Sequence, residues 1–445
     1  MTEQPALGER LRGLRLAANV TIEALADRSG LSDRAISDIE RGVSEAPQHR
    51  TIAAIAEALG LDEEERRTFL ATARGARVAR RAGAATPRNP SAASSSPEFT
   101  GRERELAKIS ATLTTMTTVA APALLISGAP GVGKTATALE AVSRATAWSS
   151  HLFVDLDGFA ALPATPTQIL RELLRQLPGS TEQIPTTLDD AARHWRTLTE
   201  RDPPLVVLDN AASESQVRPV LSLSPRGAVI VTSRRALAGL EGVARMTLGP
   251  LGEEASIRLL DRLIANGLIA NGRTTPQATA LVAQLVHGLP LAISIAAEII
   301  SDDPDHDAAY FASALGSADD PLAALVHGDR SVASAIALSY DTLSARSAQL
   351  LRDISVVETD TFDAILAGAV GVEQGGVEQG GVESRLDELA DLGLLEVRGG
   401  DRFSLPWPVR HFALARLTDT VGPRGVAERR QRADVWLRAN GAAAH

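Results

Sequence analysis

The octapeptide GAPGVGKT at 128–135 constrains this 445-residue chain more than any other feature. It matches the pattern G-x-x-x-x-G-K-[ST] in full. The apolar run ALLI at 123–126 precedes it, and a helical stretch begins at about Thr135. Gly128, Gly131 and Gly133 let backbone N–H groups turn inward around phosphate oxygens, and Val132 and Ala136 extend the cradle on either side. Lys134 would reach the β- and γ-phosphates, and the Thr135 hydroxyl would ligate Mg2+. A helix N-terminus behind the loop adds a field that favours anions. Lys134 is conspicuous for a second reason: the chain has lysine only at 108 and 134, and its other 43 basic residues are arginine.

Short apolar runs alternate with helical stretches downstream of residue 98. The runs are Ala123–Ile126, His151–Leu156, Leu205–Leu208, Val229–Thr232 and Val243–Leu248. That alternation predicts a parallel sheet with helices on both faces. LVVLDN at 205–210 places Asp209 at the end of a buried strand, where it would hold the Mg2+ shell. Asn210 follows, where an efficient hydrolase would place a carboxylate; an amide takes no proton, so slow hydrolysis is expected. VIVTSRR at 229–235 ends in two hydroxyls and arginine, and Arg234 would either sense a γ-phosphate or cap solvent. Lys134, Asp209 and Arg234 form the expected catalytic set, and Thr135 and Asp209 the metal ligands. ATP or ADP with Mg2+ is the implied cofactor.

Residues 1 to about 75 carry apolar positions at helical spacing, among them Leu11, Leu14, Leu25, Ile36, Ile39, Ile52 and Ile55. IEALADRSGLSDRAISDIER at 22–41 has helix-turn-helix spacing, with small Ala26 at the crossing and Gly30 in the turn. Ser32 would cap the second helix, whose Asp33, Arg34, Ser37 and Asp38 would face the major groove. Arg34 is the expected base reader, since a guanidinium bonds guanine O6 and N7 together. Thr21 and Arg41 flank this surface, and Arg12, Arg15 and Arg41 would neutralise phosphates. The segment holds 10 arginines against 13 acidic residues, which leaves a protein-contact bundle open. From Arg66 to Pro97, however, there are seven arginines and no acid, so the linker is cationic. Residues 7–74 resemble the Cro/repressor (XRE) type of DNA-binding domain throughout, including LGERLRGLR and SGLSDRAISDIERG.

The order of motifs over about 98–415 resembles the NB-ARC branch of the signal-transduction (STAND) ATPases. FTGRE at 99–103 looks like the family's entry motif, in which Arg102 would approach the nucleotide. GLPLA at 288–292 matches the motif whose proline, here Pro290, packs near adenine, and SYDTLS at 339–344 looks like the start of the winged-helix module. The resemblance implies a multidomain α and α/β chain. It would comprise a helix-turn-helix domain at 1–75, a linker at 76–97 and a P-loop nucleotide-binding domain at 98–249. A helical lid at 250–327, a winged-helix domain at 328–420 and a C-terminal helix and tail at 421–445 would follow. A short hairpin is expected at Leu394–Val397 and Phe403–Leu405. Two departures stand out. Leu405-Pro406-Trp407 occupies the place of the family's Met-His-Asp stretch, where Trp407 would pack as core, and no repeat array follows the winged helix. The repeat GVEQG at 371–375 and 376–380 is too short for a solenoid unit and is expected to be a surface loop.

Composition supports an ordinary globular chain, with 44% hydrophobic and 22% charged residues. With no cysteine, disulfides and thiolate chemistry are excluded. No apolar run reaches the roughly 18 residues a membrane helix needs, and no signal segment is evident, so a cytoplasmic, nucleoid-associated protein is expected. A net charge of −10 argues against blanket nucleic-acid coating. The leading expectation is a nucleotide-switched transcriptional regulator whose partners are double-stranded DNA, further copies of itself in a nucleotide-dependent oligomer, and an unknown protein or small-molecule effector. A defence or cell-fate effector and a DNA-tethered remodelling ATPase stay open.

Overall fold

A computed structural model describes residues 7–18, 20–29, 33–41, 49–61, 65, 69, 99–116, 123–159, 163–177, 184–223, 227–265, 274–302, 307–328, 330–371 and 379–440. The linker at 76–97 and most of the GVEQG repeat lie outside the described residues. The chain divides into two compact units, Met1–Arg88 and Asn89–His445.

In the first unit, α1 (Leu7–Ala17), α2 (Ile22–Ser29), α3 (Asp33–Glu40) and α4 (His49–Ala58) surround one core. Leu11, Leu25, Ile36, Ile52, Ile55 and Phe69 are fully buried in it. Each such side chain contributes roughly 1.5–3 kcal/mol by leaving water. Gly8 lets α1 cross the end of α3, because a Cβ there would lie 2.5 Å from the Ile39 carbonyl oxygen. Arg15 corrects one sequence expectation. Its guanidinium forks onto Glu40, Nε to Oε1 at 2.6 Å and Nη2 to Oε2 at 2.9 Å, and Nη1 donates to the Val20 carbonyl. The residue is only 9% exposed. It ties α1 to α3 instead of meeting a phosphate, because a bidentate buried carboxylate holds it in place.

The second unit opens with α5 (Glu103–Met116), β1 (Ala123–Gly128), α6 (Lys134–Arg144), β2 (His151–Asp155), α7 (Pro166–Gln176) and α8 (Leu188–Thr199). Next come β3 (Leu205–Ala211), α9 (Glu214–Leu223), β4 (Ala228–Ser233) and β5 (Val243–Leu248). The five strands form one parallel sheet in the order β2-β3-β4-β1-β5. Because side chains alternate along a strand, each apolar run feeds two cores. Leu125, Val206, Leu208 and Val231 pack with α7, α8 and α9 on one face, around Ile169, Trp195 and Val217. Leu124, Ile126, Val207 and Ile230 pack with α5 and α6 on the other, around Ile109 and Val142. The central strands are therefore continuously apolar, whereas VARMTL of edge strand β5 is largely exposed.

Helices dominate thereafter: α10 (Glu253–Ala265), α11 (Pro276–Leu285), α12 (Pro290–Asp302) and α13 (Ala308–Ser317). The hairpin β6 (Val326–His327) and β7 (Arg330–Ser331) leads into α14 (Val332–Tyr340) and α15 (Ala345–Ile354). Then follow β8 (Phe362–Asp363), α16 (Ala364–Val370), α17 (Gln379–Asp391), β9 (Glu396–Val397), β10 (Arg402–Ser404) and α18 (Trp407–Asn440). The hairpin expected near 394–405 is present as β9 and β10, but β8 joins it in a three-stranded antiparallel sheet. A two-residue strand has too little pattern to be read from sequence. α18 breaks at Gly422, whose φ is 69°, immediately before Pro423, which cannot continue a helical ladder. Leu260, Val282 and Ile293 of the first helices share a single apolar core with Ile336, Leu351, Leu386 and Phe412 of the later ones. The segments expected as separate lid and winged helix are thus packed on one another.

Candidate functional site

The phosphate-loop geometry is built by consecutive residues. Gly128, Gly131 and Gly133 all have positive φ, of 148°, 77° and 91°. Gly133 is the cap of α6, so the loop ends on a helix N-terminus. Lys134 Nζ lies across the mouth, donating to the Gly128 and Ala129 carbonyls at 2.8 and 2.9 Å. Burial, helped by the nearby Arg234 charge and opposed by Asp209, pushes its ammonium down to about 7. Thr135 and Ala136 are exposed beside it, whereas Val132 is buried under the loop.

Asp209 is brought to this helix start by an irregularity. The β3–β4 register shifts between Leu208 and Ala211, and Asn210 adopts a left-handed φ of 61°. Such a bulge re-aims a side chain. Asparagine tolerates the conformation, and its N–H is satisfied by Thr232 Oγ1 at 2.9 Å. The Asp209 carboxylate accepts from Thr135 Oγ1 at 2.8 and 3.1 Å and from Thr232 Oγ1 at 2.5 Å. Burial raises its proton affinity against those hydrogen bonds. A hydroxyl and a carboxylate in contact at a helix start are hard oxygen donors suited to Mg2+. With the glycine cradle and a lysine held by loop carbonyls at its mouth, the residues fit a magnesium nucleotide.

Arg102 has φ 69° and donates to the Val132 and Gly249 carbonyls, so it fastens its segment to the underside of the loop. Pro290 opens α12 against Gly133, whose Cβ position would lie 3.8 Å from the Pro290 ring, and the Leu291 N–H donates to the Gly131 carbonyl at 3.1 Å. Every expected nucleotide-site residue therefore gathers at one end of the sheet. Arg234 reaches there too, but its guanidinium donates to the Ala335 carbonyl at 2.8 Å and Ser339 Oγ at 2.9 Å on α14. It also lies 4.3 Å over the Phe159 ring, and burial pushes it down to about 10.

Several neighbours were not expected from the sequence. Arg235 pairs with Asp391 at the end of α17. Gly393, with φ 68°, sits so near the loop that a Cβ would lie 3.3 Å from the Gly128 carbonyl. Trp407 is half-buried and stacks on His287, with centroids 5.2 Å apart, and meets His411 edge-on. It thus joins α18 to the residue preceding Gly288, a contact of long sequence separation that carries no local signal. The segment 155–159 begins on the last residue of β2 and brings Phe159 to Arg234, a contact the strand pattern did not signal.

For the expected DNA surface, α2 and α3 are formed. Thr21 is exposed and accepts from the Ala24 N–H as it enters α2, Ser37 is half-buried on α3, and Arg41 is exposed just after it. Asp33 and Arg34 lie on α3, and Gly30 and Ser32 fall outside the described residues.

The chain joins a helix-turn-helix domain to a P-loop ATPase domain. Residues 6–69 match the domain family described as helix-turn-helix domain, and residues 98–273 the one described as AAA ATPase domain. The chain is homologous to AfsR-type regulatory proteins. It is 30% identical over 325 residues to regulatory protein AfsR of Streptomyces coelicolor and 29% identical over 321 residues to that of Streptomyces griseus. Each alignment covers 72% of this chain but 32% of the relative, so the chain spans about a third of their length. The Walker-type ATPase PABY2304 of Pyrococcus abyssi shares the fold, with TM-score 0.52 and 15% identity over 71% of this chain and 96% of that one. A P-loop ATPase fold implies nucleotide binding, typically with Mg2+. Among the described residues no helix is long and apolar enough to cross a membrane.

Proposed function

We propose that the chain is a DNA-binding transcriptional regulator switched by ATP and ADP. One observation supports the switch: Arg234, which follows β4 and is read as the γ-phosphate sensor, holds α14 through Ala335 and Ser339. A nucleotide that recruits the guanidinium competes with that contact, so the bound nucleotide and the position of the C-terminal helices are energetically linked. In this reading Lys134 and the loop N–H groups bind the phosphates, Thr135 and Asp209 hold the metal, and Arg102 and Pro290 shape the nucleotide seat. Mg2+, when bound, would neutralise phosphate charge. Residues 250–327 act as the lid and 328–420 as the winged helix. Arg34 reads bases, with Thr21, Ser32, Asp33, Ser37 and Arg41 around it. Nucleotide-dependent self-association gathers several such domains on spaced half-sites, converting weak single contacts into tight binding.

The test is retention of sheared source-genome DNA by the purified chain, with ATP and separately with ADP, followed by sequencing. A few sharp sites that depend on the nucleotide are expected. Retention that is absent or sequence-blind in both states would make the N-terminal unit a protein-contact module and sink the regulatory function.

A further inference from the structure

A cavity of about 440 Å³ lies at the end of the sheet where β1, β4 and β5 begin. Its floor is one row of the sheet. Ala123 stands in register between Val229 and Val243, and in-register neighbours present their side chains on the same face. Small Ala123 between two valines leaves the row hollow. Leu221 of α9 and Leu240 of the β4–β5 loop extend the apolar lining, and Arg218 and Glu241 line it while themselves exposed. Gly128 ends the strand that Ala123 begins, so about 16 Å of β1 separates this floor from the phosphate loop.

The loop wall is built. Arg245 Nη2 donates to the Leu237, Ala238 and Leu240 carbonyls, and Arg218 Nη2 donates to the Gly239 carbonyl. The Gly239 N–H donates to Glu214 Oε1 at 3.2 Å. The cavity is thus formed before any ligand arrives, and its size falls in the range of small-molecule sites, about 300–1,000 Å³. Arg218 and Glu241 bring opposite charges to it, and among the described residues neither makes an ion pair. Two unlike charges flanking an apolar floor match a molecule with an apolar body and one charge of each sign. A ligand of single charge would set its like charge against one of them.

The same loop begins with the switch arginines. Arg234 donates to Ala335 and Ser339 of α14, and Arg235 and the Ala236 N–H meet Asp391 of α17. A ligand seated against residues 239–243 therefore bears on a segment whose other end holds the C-terminal helices.

We propose that this cavity is an effector site for a small zwitterion of about dipeptide size, its apolar body on the sheet row, its carboxylate on Arg218 and its ammonium on Glu241. The effector action, unlike the site itself, rests on the nucleotide switch proposed above.

Calorimetry of the full chain with leucyl-leucine tests the site, beside the singly charged acetyl-leucyl-leucine and leucyl-leucinamide. The dipeptide should bind, and each singly charged form should bind about tenfold more weakly, the contribution of one charged hydrogen bond partly reached by solvent. Glu241→Gln changes an exposed side chain and should keep the melting temperature. It should weaken the dipeptide by a similar factor and leave the acetyl form no weaker. Saturating dipeptide should shift the affinity for a fluorescent ATP analogue by about fivefold or more. No heat with millimolar dipeptide, or equal binding of all three forms, overturns the site, as does dipeptide binding that Glu241→Gln leaves unchanged. Dipeptide binding that does not alter ATP affinity overturns the effector action. A chain that binds the dipeptide but no nucleotide brings down the switch, and the effector action with it, while calorimetry still reads the site.

Discussion

Lys134 sits in a cradle of its own making, bonded to two carbonyls of the loop it follows, and burial holds its ammonium at about 7. Phosphates bind the charged amine, so nucleotide binding takes up a proton and restores the amine toward its ordinary range. The sign follows. The favourable contribution is complete below pH 7 and declines as pH rises above the free-state value, by up to about tenfold in affinity per pH unit. ATP affinity measured calorimetrically from pH 6.5 to 9 should decline accordingly, and a flat profile would remove the lysine from phosphate recognition. Lys134→Ala should abolish tight binding at every pH. Asn210 teaches a complementary lesson at this scale: its chemistry suggested a missing base, whereas its backbone conformation accounts for the residue type.

At the scale of elements, the contact between the sheet and α14 is polar and narrow. Arg234 supplies two hydrogen bonds to α14 and a stack on Phe159, and Arg235 adds an ion pair to Asp391 of α17. Hydrogen bonds to a charged group contribute about 1.5–3 kcal/mol each when buried, less where solvent reaches them. Arg234→Ala should therefore raise hydrogen exchange in α14 by about tenfold or more in the nucleotide-free chain, while the sheet stays protected. Unchanged exchange in α14 would mean that apolar packing alone holds it. The later helices themselves should move together. Residues from Leu260 to Leu417 share one core, so separating the expected lid from the expected winged helix would expose it to water.

For the whole molecule, the DNA-binding prediction turns on two kinds of arginine. Arg34→Ala should relax sequence preference more than it weakens nonspecific binding, because a base-edge hydrogen bond discriminates and a phosphate ion pair does not. Substituting the linker arginines Arg77, Arg80, Arg81 and Arg88 by alanine should instead lower the salt slope by about one for each phosphate left without its arginine. Competition assays across a salt series, with specific and scrambled duplexes, measure both. If Arg34→Ala leaves specificity intact, another part of the N-terminal unit reads the bases. A hydrolysis rate of about one per minute or slower would suit a switch. Turnover near the enzyme median of about 10 per second would suit a motor.

What the sequence determined alone is what contiguous residues build. The GAPGVGKT cradle, the continuous apolar runs of the strands, the helix-turn-helix spacing and Asp209 at a strand end depend on neighbours a few positions apart, where covalent geometry does the placing. Tertiary structure decided which distant groups meet. The strand order put Asp155 beside Asp209. Packing of α14 took up Arg234, the His287–Trp407 stack joined GLPLA to α18, and one core united two expected segments. Arg15, expected at a phosphate, became a strut to Glu40 for the same reason. A side chain's partner far along the chain is set by how apolar faces are buried together, and no local pattern encodes that choice.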